Sequence, residues 1–486
     1  MSLQFITGNS GNGKTKYLFN RIVKEAKANP RDNYLVIVPE QFTMQTQRQL
    51  VDLSENKAIM NIDVLSFKRL AYRVFDELGI TNLTVLEETG KNLVLRKLAA
   101  QEADKLGVIG RNLNRIGYIS EVKSLLSELV QYNISPEELG RYIASGMLSD
   151  TLSDKLKDVL VLYEAFEKFM QDKYITAEEI LNVLSNVAEE SAILRNSVIA
   201  FDEFTGFTPI QNQLIKKLFV ISKKIYVTLT IDCREDIFKS RGMQELFDMP
   251  KRTVKSLTEM AAFYGIEVEE PIILDKNYRL AENEELSFME QQLFRKRRCS
   301  FKKAPKHIHI DCLRDPKQEL TKIARRINEL VRNENLRYRD IAIVTGDVNI
   351  YAGYVREIFD KYNIPYFIDA TQEILFHPFI EFIRSIPDIA AQNFSADAVF
   401  RFLRCGFSEL LDSEIDVLEN YVLACGVRGK SAWDKKWVRL PKHKAGYDIE
   451  LLNQSREYIM ELLKPVYQVF SDKKSTVKDY VLAIYK

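Results

Sequence analysis

Eight residues near the start of the chain, Gly8-Asn9-Ser10-Gly11-Asn12-Gly13-Lys14-Thr15, combine types and spacing that suit phosphate chemistry. Gly8, Gly13, Lys14 and Thr15 fill the pattern G-x-x-x-x-G-K-T, and Gly11 adds a further flexible position. Such glycines let backbone N–H groups turn inward around a phosphate, and a following helix adds a favourable dipole. Lys14 would reach the β- and γ-phosphates of ATP, and Thr15 would hold a magnesium ion. Two further stretches supply what a phosphate loop needs. VIAFDEF ends an apolar run with Asp202 and Glu203 side by side. An acidic residue there can hold the magnesium ion, and a second can position an attacking water. Arg279, in ILDKNYRLAENEEL, can stabilise charge on the γ-phosphate as an arginine finger does.

These residues need elements to position them. LQFIT, Leu3 to Thr7, reads as a buried strand, and KYLFNRIVKEAKANP places Leu18, Ile22 and Ala26 at helical spacing before Pro30. Leu35 to Val38 and Ile62 to Leu65 are further strands. From 85 to 190 the leucine spacing is helical; SVIAF and KKIYVTLTID then restore strands. That order predicts an α/β fold, a parallel sheet of the P-loop type with a large helical insertion. The expected organisation is 1–84 with 191–290 as a first RecA-like ATP-binding domain, split by the 85–190 insertion. HIHIDCL, DIAIVTG and IPYFID, alternating with helices, predict the start of a second RecA-like domain over 291–375. Residues 376–486 read as a second helical insertion, and the closing DYVLAIYK, without a stop signal, suggests a chain that continues.

Bulk properties restrict the function classes. The 486 residues are 46% hydrophobic and 28% charged with a formal net charge of +1, so nucleic-acid binding must rest on local patches. No apolar run is long enough to span a bilayer, and there is no signal peptide. The five cysteines lack C-x-x-C spacing, which fits a reducing cytoplasmic setting and argues against a zinc or iron–sulfur site in this stretch. His307 and His309 in HIHI fit one strand face better than a metal pair.

The phosphate loop, the DE-ended strand and the NYR segment, in that order, resemble motifs of superfamily 1 DNA helicases. VPEQFTMQTQ, FDEFTGFTP and YRDIAIVTGDVNIYAGYVREIFDKYNIPYFID resemble more specifically the AddB (RexB) subunits of bacterial AddAB/RexAB helicase–nucleases. The resemblance runs the length of the chain. It implies a heterodimer with an AddA/RexA helicase–nuclease subunit, processing of double-strand DNA breaks, and recognition of Chi sequences in single-stranded DNA. It also implies a nuclease and a 4Fe-4S cluster in a C-terminal part beyond residue 486. One departure bears on turnover. The third helicase motif carries a Gln that couples nucleotide to DNA, and LTIDCRED has none.

Loops after strand ends are where ligands sit in such sheets. Gln41 and Thr43 offer base-edge contacts, Lys68 and Arg69 phosphate contacts, and Phe67, Tyr72 and Phe207 stacking faces. The residues alone equally allow helix packing for Phe67 and Tyr72 and capping for Thr43; the resemblance favours DNA. RKRRCSFKKAPK reads as a solvated linker before a phosphate track. The i, i+4 pair Trp433 and Trp437 reads as a buried helix face. The competing classes are an ATP-using helicase–nuclease subunit, a relic that binds DNA without hydrolysing ATP, and a nucleotide-dependent kinase or transporter-type ATPase. The last has no use for the insertion or the second α/β unit.

Overall fold

Alternate side chains along the strands are apolar on both faces, which is the pattern of a sheet covered by helices on either side. The computed structural model describes residues 1–80, 84–108, 110, 116–171, 174–295, 299–370, 374–441, 446–472 and 474–485. Its strands are β1 (Ser2–Gly8), β2 (Tyr34–Ile37), β3 (Ile62–Leu65), β4 (Val85–Leu86), β5 (Ile175–Thr176), β6 (Val198–Phe201), β7 (Lys224–Thr230), β8 (Glu267–Val268) and β9 (Ile272–Leu274). The main sheet runs β3-β2-β6-β7-β1-β8, with β9 pairing further along the same edge of β1. Every pairing is parallel, and Gly8 lies level with Thr230 on β7 and Leu274 on β9. The strands therefore run the same way, and all but the short β8, which ends level with Leu3, finish on one rim.

The helices of the first unit are α1 (Lys14–Ala28), α2 (Thr43–Leu53), α3 (Phe67–Leu78), α4 (Glu88–Gln101), α5 (Ile116–Gln131), α6 (Pro136–Ala144), α7 (Asp150–Met170), α8 (Ile180–Val187), α9 (Pro209–Ile221), α10 (Asp248–Phe263) and α11 (Glu284–Gln292). One core joins Tyr34, Val36, Val198 and Tyr226 to Leu18, Phe19, Ile22 and Leu50 of α1 and α2. The other joins Leu35, Ile37, Ile199 and Val227 to residues of α3, α8, α9 and α10. Neighbouring residues on each strand thus face opposite cores, as the pleat requires. The insertion forms its own core from α4, α5, α6 and α7. The two-stranded β4–β5 ladder inside it lies in a region whose spacing predicted helices alone.

The chain divides into two compact units, Met1–Ile310 and Asp311–Lys486. The second contains α12 (Pro316–Asn333), α13 (Val348–Lys361), α14 (Pro378–Ala391), α15 (Ala396–Leu403), α16 (Asp412–Cys425), α17 (Lys430–Asp434), α18 (Ile449–Ser471) and α19 (Val477–Tyr485). Among the described residues, HIHIDCL, DIAIVTG and IPYFID form no ladder, contrary to the strands their composition predicts. Ile310, Val344 and Phe367 in these segments are 94%, 92% and 88% exposed, so the described residues leave bare the faces a strand would bury. Trp433 and Trp437 are buried together as expected, 5.2 Å apart, although α17 ends between them. No helix among the described residues is long and apolar enough to cross a membrane. The basic stretch after Arg295 lies partly outside the described residues.

Candidate nucleotide and DNA sites

The phosphate loop joins β1 to α1, and its shape depends on glycine. Gly11 and Gly13 have φ of +89° and +79°, a left-handed backbone that a Cβ disfavours. Space is also closed to larger residues: a Cβ on Gly11 would lie 2.7 Å from Asn277 Oδ1 and 2.9 Å from Arg279 Cβ. Lys14 Nζ donates to the carbonyls of Gly8 and Asn9, at 3.1 Å each. Burial lowers the Lys14 pKa, opposed by the charges of Glu203 and Asp202. The loop is braced from behind. Asn12 Nδ2 donates to Leu274 O at 2.5 Å, and buried Asn9 accepts from Cys233 N–H and donates to Glu290 at 2.9 and 2.8 Å.

The acid pair caps β6, the strand beside β7. Asp202 is 1% exposed and lies within hydrogen-bonding reach of the Thr15 hydroxyl, 3.3 Å, and of Thr228 Oγ1. Burial, with the adjacent Glu203 charge, pushes its pKa up to about 6 against those hydrogen bonds. Its second oxygen, Oδ2, is buried without a hydrogen-bond partner among the described residues. An orphaned carboxylate oxygen next to a Thr hydroxyl is the donor set a hard cation takes, so the residues fit magnesium. Glu203 lies 3.2 Å from the same hydroxyl and holds φ +65°, a conformation costly for a residue with a Cβ and concentrated at functional sites.

Arg279 arrives from the opposite side of the loop. Tyr278 N–H and Arg279 N–H both donate to Gly11 O, at 3.0 and 3.4 Å, and Asn277 Nδ2 donates to Ser10 O at 2.9 Å. Gly11, Gly13, Lys14, Thr15, Asp202, Glu203 and Arg279 all line one cavity of about 770 Å3. Sequence reasoning placed none of four further lining residues at this site. Tyr278 lines the cavity beside Gly13, Thr228 bonds Asp202, and Gln45 with Gln49 from α2 line a further wall. In LTIDCRED, Asp232 is tied to Arg234 and Arg295 at 2.6 and 3.0 Å. Burial acts to raise the Asp232 pKa, but the Arg234 bonds outweigh it and hold it at about 2.

A second cavity, of about 650 Å3, opens on the same rim beside β2 and β3. Phe67, Lys68, Arg69 and Tyr72 of the expected DNA contacts line it, together with Glu40, Ser66, Phe204 and Gln211. Gln41 and Thr43 do not. The Thr43 hydroxyl donates to Glu40 O at 3.0 Å and its side chain is buried; it does not cap α2, whose N-cap position is Phe42 and carries no side-chain cap bond. Phe67 is 7% exposed and packs with Phe201, Phe204 and Phe207, so its ring is largely a floor; Phe207 stands behind it.

A family model described as "ADDB, N-terminal" matches residues 5–290. The chain belongs to the ADDB N-terminal family. A protein from Lachnoclostridium phytofermentans, named as the B subunit of an ATP-dependent helicase/deoxyribonuclease, is 38% identical over 100% of this chain and 43% of its own length. The proteins of the same name from Clostridium tetani and Caldanaerobacter subterraneus are each 33% identical, over 100% of this chain and 43% and 42% of theirs. This ADDB-family chain therefore spans less than half the length of these relatives. The family match covers both cavities, since the residues lining them fall between Ser10 and Arg279 and between Val38 and Gln211. Among the described residues no three His, Cys, Asp or Glu side chains group as a metal site, and all five cysteines are free.

Proposed function

We propose that this chain is the ATP-binding, DNA-reading head of a helicase–deoxyribonuclease subunit with a superfamily 1, P-loop fold. The observation that carries the reading is convergence. A phosphate loop, an acid pair and an arginine from three distant parts of the chain line one cavity. In this reading 1–84 with 191–290 is the RecA-like ATP-binding domain, 85–190 its insertion, and 291–375 opens a second such domain. The relatives' name supports ATP dependence, DNA as substrate and a partner subunit, which this reading takes to be of the AddA/RexA type. Break processing, Chi reading, a cytoplasmic location and a 4Fe-4S cluster elsewhere in the full-length protein extend the same proposal.

The site residues divide the work by position. The glycine backbone from Gly8 to Gly13 wraps the phosphates, with Asn9 and Asn12 fixing its shape. Lys14 leaves the Gly8 and Asn9 carbonyls for the β- and γ-phosphates. Thr15 and Asp202 hold the magnesium ion, which supplies neutralising charge to those phosphates when bound. Glu203 orients a water toward the γ-phosphate, and Arg279 counters charge there. Titration of a fluorescent ATP analogue tests the assignment. Lys14→Ala is expected to lose measurable binding while melting normally, and equal affinity in the two proteins would refute it.

A second reading, nucleotide binding without motor-like turnover, is favoured by one specific feature. Asp232, Arg234 and Arg295 form a closed ion-pair cluster where a coupling Gln would act. DNA-stimulated hydrolysis at motor rates would rule it out.

A further inference from the structure

Behind the phosphate loop stands a carboxylate that does not line the nucleotide cavity. Glu290, on the last turn of α11, accepts from Asn9 Nδ2 at 2.8 Å across 281 residues of sequence. On its other side Asn9 Oδ1 accepts from Cys233 N–H at 2.9 Å, so the buried amide is fixed at both ends. A flipped amide would set its oxygen against the carboxylate and its NH2 against the Cys233 N–H. The Asn9 main chain is equally engaged. Its carbonyl accepts from Asn12 N–H at 3.2 Å and from Lys14 Nζ at 3.1 Å. One residue thus sets both the turn of the loop and the resting place of its lysine.

Glu290 is itself held in place. Arg234 Nη2 donates to Gln291 O at 3.1 Å. Arg295 donates to Asp232 through Nε at 3.0 Å, and its Nη2 lies 3.8 Å from Glu290. The Arg295 guanidinium also rests over the Phe247 ring, 4.9 Å from its centroid. The cluster of Asp232, Arg234 and Arg295 therefore pins the end of α11 to the turn after β7. Charge alone argues against a carboxylate here, since it repels an anionic phosphate, and Arg295 offsets that repulsion. What the carboxylate offers the loop is its hydrogen bond to Asn9.

We infer that Glu290 is a positioning residue for nucleotide binding, acting through Asn9 to keep the phosphate loop in the shape that receives the phosphates. The inference rests on the proposed nucleotide site. Without Glu290, Asn9 Nδ2 is a buried donor lacking its acceptor, so the amide turns toward another and the Asn9 carbonyl moves with it. The Asn12 N–H and the Lys14 ammonium then lose their common acceptor, and the N–H groups of the loop no longer converge on one point.

Titration of a fluorescent ATP analogue into the full chain tests it. Glu290→Ala is expected to weaken binding about tenfold, the factor that an unsatisfied buried donor carries. Glu290→Gln keeps the reach and an acceptor without the charge, and should stay within about threefold of wild type. Glu290→Asp keeps the charge but falls one methylene short, and should weaken binding nearly as much as Glu290→Ala. Asn9→Ala combined with Glu290→Ala should bind no more weakly than Asn9→Ala alone, because the two side chains act as one unit. Glu285→Ala is the control for the helix. Glu285, toward the other end of α11, accepts from Lys306 and His307 N–H at 2.7 and 2.8 Å. Its loss should lower the melting temperature and leave affinity within about twofold. A melt of each variant reports its folding, and should Glu290→Ala not fold, the Gln and Asp pair decides alone. Unchanged or tighter binding by Glu290→Ala, a Gln variant weaker than the Asp variant, additive losses in the double variant, or an equal loss in Glu285→Ala would each overturn the inference and leave the nucleotide site standing. Failure of the wild type to bind the analogue would remove both.

Discussion

At the residue scale Asp202 ties the nucleotide site to pH. Its folded pKa is raised to about 6, above the ordinary carboxylate value. A raised carboxylate pKa means the folded protein holds that proton more tightly than the unfolded chain does. The resulting stabilisation is complete below the unfolded pKa, about 4, and is lost as pH rises through about 6. Asp202→Asn is therefore expected to flatten the pH dependence of the melting temperature between those values. Magnesium demands the ionised form, so magnesium-dependent ATP affinity should fall up to about tenfold per pH unit below about 6, while magnesium-free binding falls less. Titrations with magnesium and with a chelator separate the two. The eight phosphate-loop residues and the acid pair were legible because each motif is contiguous in sequence. Thr228 and Glu40 were not, since their partners Asp202 and Arg69 lie 26 and 29 residues away. Tyr278 sat in the quoted NYR segment, but only folding sets it against Gly13.

At the scale of elements, the loop between β1 and α1 is held by both its backbone angles and its neighbours. Gly11→Ala places a Cβ against Asn277 and Arg279 at a left-handed φ, so the turn must shift and the backbone donors with it. Nucleotide affinity is expected to drop at least tenfold, with a stability loss of about 1–2 kcal/mol for the strained φ. Gly79→Ala, at φ +69° with open space around it, should cost about 1 kcal/mol and leave affinity intact. Calorimetry of both beside wild type reads the contrast. Ser66→Ala removes the α3 cap and a Glu40 partner, and about 1 kcal/mol of stability should go with it. Five strands of the first sheet were legible as short apolar runs between turns and helical patterns; β8 and β9, two and three residues long, were not. HIHIDCL, DIAIVTG and IPYFID carry the composition of strands, yet composition supplies no pairing partner, and the exposed Val344 and Phe367 show that none is in place among the described residues. The β4–β5 ladder, two residues on each side, is too short for periodicity to register.

At the scale of the molecule, every residue lining the nucleotide cavity belongs to the unit Met1–Ile310. A chain ending at Ile310 should therefore bind the ATP analogue within about threefold of the longer chain, a difference below 1 kcal/mol by the usual conversion. Loss of binding on that cut would show that Asp311–Lys486 shapes the site. The seven parallel strands of the sheet run the same way; all but β8 finish on one rim, where both cavities open, and all but β9 start on the other. At that starting rim stand Tyr34, Ile62, Val198 and Lys224, with Asn33 and Asn196 in the turns beside them. The chemistry is one-sided, and the other rim is free for handling. A fluorophore or a surface tether fixed through the turn at Asn33 or Asn196 would leave the ligand-bearing rim facing solution, so single molecules could be watched binding nucleotide and DNA without the anchor entering either measurement.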